Sequence, residues 1–391
     1  MVCATIKKVT TFSNIIRSQK RHGGNTVTVT DPRTLTELWP VPVAAENDLR
    51  EAVQAARRQQ CLHRMADELE TRQDELRPIL AKELGKSDVL AKIEVDDALR
   101  FLRFNAAQSC PDKNDAICPW TFPLVLAVAK IAAALVMGNC VIVKPSPMTP
   151  YATLRFVEYT RDILPKWILQ ALNGSDEVGA RMTTHPGMDK ISFTGYTATG
   201  RRIAESAGRS LKRVTLELEG NDASIVCADI EVDEVAVRMC VATKRVYVHR
   251  DILPQFRSAF IAAVQKIVID RAAEHSPLFS PLQNRMQYQL VQEFLADSAK
   301  QAHTFSVGGP ERDGKPLPGL YISPTVVDRP PDNARIVQEE QFGPVNPFLE
   351  WYDEAELIRR LNATKSGGIG GEWGRQGLLS HCHTQTLQFY K

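Results

Sequence analysis

The succession of short apolar runs and amphipathic stretches between residues 140 and 218 constrains the fold more than any other feature. Residues 140–143 read as a buried-type strand that ends at Lys144, and a turn with three prolines, 145–150, opens a helix to about Ile163. A strand at 169–172, a helix near 177–183, a strand at 191–193, a helix through Ile203 and a strand at 213–218 follow. Strands alternating with helices at this spacing predict βαβ units and a mostly parallel sheet. Ligands meet such sheets at the carboxyl ends of the strands.

The flanking chain is read the same way. Residues 9–44 are strand-like and rich in turns, with Asp31-Pro32-Arg33-Thr34 as one turn. Asn47 is the expected N-cap of a helix over 48–58. Further helices are expected over 62–84, ending at Gly85, and from Ser87 as N-cap to about Ala107. Residues 108–116 are polar and read as a loop. Pro119-Trp120-Thr121-Phe122-Pro123 is a stiff turn into a nearly apolar helix over 124–137. A second region follows Arg250, with helices over 253–273 and 281–301, a turn at Gly308-Gly309, strands around 319–327 and a glycine cluster over 366–374.

Composition narrows the function classes. The chain has 391 residues, enough for two domains. A net charge of +2 gives no field that would select nucleic acid or an anionic membrane. The 124–137 run is too short to span a bilayer and contains Lys130, so it is expected to be a buried helix. The eight cysteines have no paired metal-ligand spacing and read as reduced thiols, which points to a cytoplasmic protein. His381-Cys382-His383 would alternate faces on a strand, so no metal site is expected there.

Four features carry chemistry. Gly195 and Gly200 flank a turn between a strand and a helix, where a helix N-terminus can receive a pyrophosphate; a plain βα turn has the same pattern. Lys144 ends a strand of a βαβ unit, as a ligand contact or as an ordinary solvated lysine. Glu217, in a mostly apolar strand, is a general base or a solvent-facing carboxylate. Cys240, followed by Lys244 and Arg245, is a nucleophile or an inert core thiol. Together they suggest dinucleotide-dependent chemistry through a thiol.

Several segments jointly resemble the NAD(P)-dependent aldehyde dehydrogenase superfamily over nearly the whole chain. They are Asp31-Pro-Arg-Thr, Cys118-Pro-Trp with Phe-Pro-Leu124, Lys144-Pro-Ser146, Asn173-Gly174, Phe193-Thr-Gly195 with Gly200, Leu216-Glu-Leu218 and Glu340-Gln-Phe-Gly-Pro344. The resemblance implies an α/β fold. Its parts are a Rossmann-like cofactor domain (1–226), a smaller α/β catalytic domain (227–366) and a C-terminal strand or oligomerisation tail (367–391). It also implies oxidation of a small-molecule aldehyde to its acid with NAD. NADP is compatible too, since Pro147 stands where an acid would disfavour a 2′-phosphate. Cys240 becomes the attacking thiol and Glu217 the base for thioester hydrolysis. Lys144 and Glu340 become ribose contacts, Phe342 the nicotinamide neighbour and Trp120 a wall of the cofactor site, which Ser146, Gly195, Tyr196, Gly200 and Leu218 complete.

The chain also departs from that pattern. Thr121 stands where the family has the asparagine that stabilises the oxyanion, and Tyr196 replaces the usual serine of the glycine turn. Glu219 replaces a glycine, which is expected to set a carboxylate beside the nicotinamide. Residues 235–239 replace the usual lead-in to the cysteine, and a block of the catalytic domain is missing before the glycine cluster. The loop over 108–116 stands for a shortened dimerisation hairpin and a lost first sheet strand, so any homo-oligomer is expected to be weakened. These departures imply impaired activity, with a non-catalytic binding or regulatory relative as the alternative.

Overall fold

The computed structural model describes residues 11–16, 19–22, 24–45, 48, 60–106, 115–164, 168–232, 243–265, 280–310, 319–363 and 369. Short strands β1 (Asn14–Ile16), β2 (Gln19–Arg21), β3 (Thr26–Val27) and β4 (Val41–Pro42) precede two long helices, α1 (Gln60–Leu84) and α2 (Asp88–Ala106). Then come β5 (Asp115–Ile117), α3 (Pro123–Val136), β6 (Val141–Lys144), α4 (Tyr151–Thr160), β7 (Leu169–Ala171), α5 (Asp176–Thr184), β8 (Lys190–Thr194), α6 (Thr197–Gly208) and β9 (Arg213–Glu217). The second half holds β10 (Ala223–Val226), β11 (Arg245–His249), α7 (Leu253–Gln265), α8 (Arg285–Lys300), β12 (Thr304–Val307), β13 (Thr325–Asp328), α9 (Arg335–Gln338), β14 (Val345–Trp351) and α10 (Glu354–Asn362). The expected helix over 48–58 lies outside the described residues apart from Asp48, as does the end of the one expected over 253–273.

The first sheet has seven strands in the order β2-β1-β7-β6-β5-β8-β9. Strands β5 to β9 run parallel, while β1 pairs antiparallel with β7 and β2. The chain winds outward from β5 through β6 to β7, then returns to β8 on the other side. A topological switch therefore falls between β5 and β8, where a crevice opens at the carboxyl edge. This corrects the reading of 108–116 as a loop that had lost the first strand: Asp115–Ile117 pairs with both β6 and β8 at the centre of the sheet.

The second sheet has the order β10-β11-β14-β13-β12, with only β12 antiparallel. Ala223–Val226 belongs to this sheet, so the sheets part between Glu217 and Ala223, earlier than the boundary at 226. α8 begins at Arg285 rather than near Pro281, because the Asn284 side chain accepts from Gln287 N at 2.8 Å and sets the cap. The strand expected around 319–327 is confined to Thr325–Asp328.

α3 is apolar apart from Lys130 and, as expected, buried, which places it between the sheet and α1, α2 and α4. Leu124, Val128, Ile131 and Leu135 are almost fully enclosed in that core. Cutting such a leucine back to alanine costs about 2–5 kcal/mol. α3 starts directly after the Trp120 turn, so its packing fixes one wall of the crevice.

Candidate functional site

Parallel strands deliver side chains to a common edge. β5 runs into Cys118-Pro119-Trp120-Thr121, β6 ends at Lys144, β8 at Thr194 and β9 at Glu217. Trp120, Thr121, Lys144, Ser146, Gly195, Tyr196, Glu217 and Leu218 are thus brought to one side of the sheet. Thr194 and Glu217 are register partners, and the Thr194 hydroxyl donates to Glu217 Oε2 at 3.1 Å. Gly195 N donates to the Glu217 carbonyl at 3.1 Å, closing the two strand ends together.

The glycine turn has a steric cause. A Cβ on Gly195 would lie 2.6 Å from Phe193 Cζ, and one on Gly200 would lie 2.4 Å from Leu218 Cδ2. Gly200 therefore lets α6 pack tightly on the chain leaving β9. Tyr196 is the N-cap of α6 but gives it no side-chain cap. Its hydroxyl instead donates to Gln287 Oε1 at 3.0 Å. Burial, then the nearby Glu219 and Glu340, pushes the Tyr196 hydroxyl above its ordinary pKa.

Lys144 is buried, and its Nζ donates to the Pro145 carbonyl at 3.2 Å. Burial lowers its pKa to about 8, against the pull of Asp176 and Cys118. Ser146 shapes the following turn by accepting from Met148 N at 3.2 Å.

The facing wall comes from the second sheet. The Phe342 ring lies 5.4 Å from the Trp120 ring in an edge-on arrangement, and Lys244 Nζ sits 4.4 Å from the Phe342 ring centre. Glu340 accepts from Gly220 N at 3.1 Å and stands 3.5 Å from Lys244 Nζ. Burial raises the Glu340 pKa despite the opposing pull of the Lys244 ammonium. Phe342 has a left-handed backbone at φ 47°, a conformation that costs a non-glycine residue about 1–3 kcal/mol. Gln287 holds it by donating from Nε2 to the carbonyls of Gln341 (3.1 Å) and Phe342 (3.2 Å).

Glu219, which replaces a glycine of the family pattern, has a backbone partner in α6. Its Oε2 accepts from Thr197 N at 2.8 Å, so the carboxylate faces the first turn of α6. A helix N-terminus attracts negative charge, and here the chain provides it.

Cys240 lies outside the described residues, as do 235–239 and the tail except Ile369. Ile369 pairs with Leu216 through two backbone hydrogen bonds of 2.8 Å, beside Glu217. Gln287 and the Lys86–Glu94 pair were not legible as site residues. Neither belongs to a motif, and both reach the site by tertiary folding. Lys244 had one usable signal, a cation close in sequence to Cys240.

A switch point at the carboxyl edge of the first sheet, faced by residues of a second α/β unit, defines a two-sheet α/β protein. The chain belongs to the aldehyde dehydrogenase family. The profile described as "Aldehyde dehydrogenase family" matches residues 19–115 and 113–388. Aldehyde dehydrogenase LUC3 of a Fusarium species is 31% identical over 469 residues, covering 98% of this chain and 99% of that relative. Glutarate-semialdehyde dehydrogenase of Pseudomonas putida is 30% identical, covering 88% and 81%. An aldehyde dehydrogenase from Bacillus cereus, solved as its NAD+ complex, superposes with a TM-score of 0.86 at 26% identity, covering 92% of this chain and 84% of that one. The aldehyde dehydrogenase AldC from Pseudomonas syringae, solved as a mutant with NAD+ and octanal, gives 0.85 at 25% identity and 95% coverage of both. No described helix is long and apolar enough to cross a membrane.

Proposed function

We propose that this protein oxidises an aldehyde to its carboxylic acid with NAD or NADP through a thiol intermediate on Cys240. The observation that carries this reading is the convergence of Trp120, Lys144, Glu217, Glu340 and Phe342 on one cleft. The residues present fit a dinucleotide in most respects. Lys144 supplies a donor for a ribose, Glu340 an acceptor for the second, and Trp120 and Phe342 supply aromatic faces. Glu219 is the exception, because its carboxylate sits where a pyrophosphate would meet α6.

The bound oxidised nicotinamide would supply the hydride acceptor. The Cys240 thiolate adds to the aldehyde carbon, forming an S–C bond and a thiohemiacetal. Loss of hydride from that carbon leaves a thioester on the same sulfur. Glu217 takes a proton from a water molecule that attacks the thioester, and the acid leaves as the thiolate re-forms. The Thr121 hydroxyl is proposed to stand in for the asparagine amide as a weaker donor to the developing oxyanion.

In this reading the cofactor is held by the first α/β unit and the thiol is presented by the second. Residues 108–114, ahead of β5, and 367–391 are remnants of an oligomerisation element, and self-association is weak. The protein is proposed to work in the cytoplasm. A second reading, a non-catalytic relative with a binding role, draws on Glu219 at the α6 N-terminus.

The test is NADH formation, followed by absorbance over a panel of aldehydes, for wild type, Cys240→Ala, Glu217→Gln and Thr121→Asn. The proposal expects slow oxidation in wild type, loss in Cys240→Ala, a stalled thioester in Glu217→Gln and a gain of about 10²–10³ at most in Thr121→Asn. Dinucleotide binding with no turnover in wild type or Thr121→Asn would favour the binding reading.

A further inference from the structure

We propose that Lys86, a residue of no recognised motif, is a positioning residue that clamps the Trp120–Phe122 turn between the cofactor cleft and an apolar groove. Its role in turnover rests on the proposed aldehyde oxidation, but the clamp itself can be measured without it.

Lys86 is pinned by its neighbours. Gly85 ends α1 in a left-handed conformation (φ 67°), where a Cβ would lie 2.5 Å from Pro281 Cγ. Ser87 opens α2, its Oγ accepting from Leu90 N at 3.3 Å. The Lys86 side chain, only 11% exposed, is therefore aimed inward. Its Nζ donates to Glu94 Oε2 at 2.9 Å and to the Thr121 carbonyl at 3.1 Å, and lies 3.7 Å from the centre of the Phe122 ring.

Glu94 completes the clamp. Its Oε1 accepts from Leu124 N at 2.9 Å and from Val125 N at 3.3 Å. These are first-turn amides of α3, whose N-cap Phe122 offers no side-chain cap. One buried ion pair thus holds the backbone on both sides of Phe122-Pro123. The turn's neighbours show what this fixes. Trp120 faces Phe342 across the cleft. Phe122, with Phe101, Phe104, Val125 and Leu126, lines a groove of about 600 Å³. Thr121 lies between them, and small displacements of a group that acts on the reacting centre are costly.

Lys86→Met alone would leave Glu94 buried without its partner, so the decisive variant is Lys86→Met/Glu94→Gln, which removes both charges and keeps an acceptor for Leu124 N. Lys86→Arg and Glu94→Gln serve as controls. Hydrogen exchange of peptides spanning 119–126 is expected to quicken about tenfold in the double variant relative to Glu94→Gln, with Lys86→Arg close to wild type. Turnover per titrated dinucleotide site is expected to fall about 10–100-fold at unchanged dinucleotide affinity, and to recover in Lys86→Arg. A merely structural role would lower turnover and site number together. Unchanged exchange overturns the clamp. Faster exchange with unchanged turnover per site overturns the positioning role. A wild type that oxidises no aldehyde removes the proposed function, while the exchange measurement still decides the clamp.

Discussion

The Glu219 carboxylate accepts a 2.8 Å hydrogen bond from the backbone amide of Thr197, the first residue of α6. An anion supplied by the chain thus occupies a place suited to a ligand phosphate. Its neighbour Gly220 donates to Glu340, so both walls of the cleft share this contact. Removing the carboxylate with Glu219→Gly is expected to tighten binding of ADP-ribose about tenfold and to leave adenosine binding unchanged. Tenfold corresponds to about 1.4 kcal/mol, within the range for charges at helix N-termini. Titration calorimetry with both ligands checks it, and equal effects on the two would refute the competition.

Burial holds the Lys144 pKa down to about 8, so the side chain is charged below that pH and neutral above it. If its ammonium contacts the dinucleotide, affinity should hold below about pH 8 and decline above it. Lys144→Gln should bind more weakly and lose this slope. Binding measured by intrinsic fluorescence across the alkaline range would show it.

Glu83 is fully buried, with its carboxylate accepting from Tyr151 N (3.0 Å) and Ala152 N (3.2 Å) at the start of α4. Burial raises its pKa from 4.5 to about 8, ahead of the lowering effect of those two amides. The folded state therefore holds this proton more tightly than the unfolded chain. The stability it contributes is complete below about pH 4.5 and is lost as pH rises through about 8. Glu83→Gln keeps an acceptor for the amides and removes the titration. Thermal unfolding scans should show a smaller decline over this window than in wild type.

Iodoacetamide at neutral pH should modify Cys240 ahead of Cys227. Cys227 is exposed and Cys118 buried, so exposure alone favours Cys227 among the described thiols. Thiolate character, not access, sets alkylation order if Cys240 is the activated nucleophile. Peptide mass spectrometry after brief labelling checks this; first modification at Cys227 would count against the assignment.

The parallel sheet was legible wherever apolar runs and helix caps alternated, as at Val141–Lys144 and Lys190–Thr194. Asp115–Ile117 was not, because three residues after a polar stretch carry no period, and partners on both sides make the strand. Gly200 could be read as special from its place between strand and helix, but its contact with Leu218 could not. The contact of Glu219 with Thr197 depends on how β9 and α6 meet, so adjacency in sequence to Leu218 could not show it. Gln287 reaches Phe342 from a helix with ordinary amphipathic spacing and left no local trace.

The pairing of Leu216 with Ile369 also has a consequence in time. A chain made from its N-terminus folds its early units before the last residues exist. During synthesis, the β9 edge beside Glu217 must wait for more than a hundred later residues before Ile369 can satisfy the Leu216 amide and carbonyl. Until then it is an open strand edge, the feature through which nascent chains associate wrongly. Shortening the gene before the codon for residue 369 would make that interval permanent.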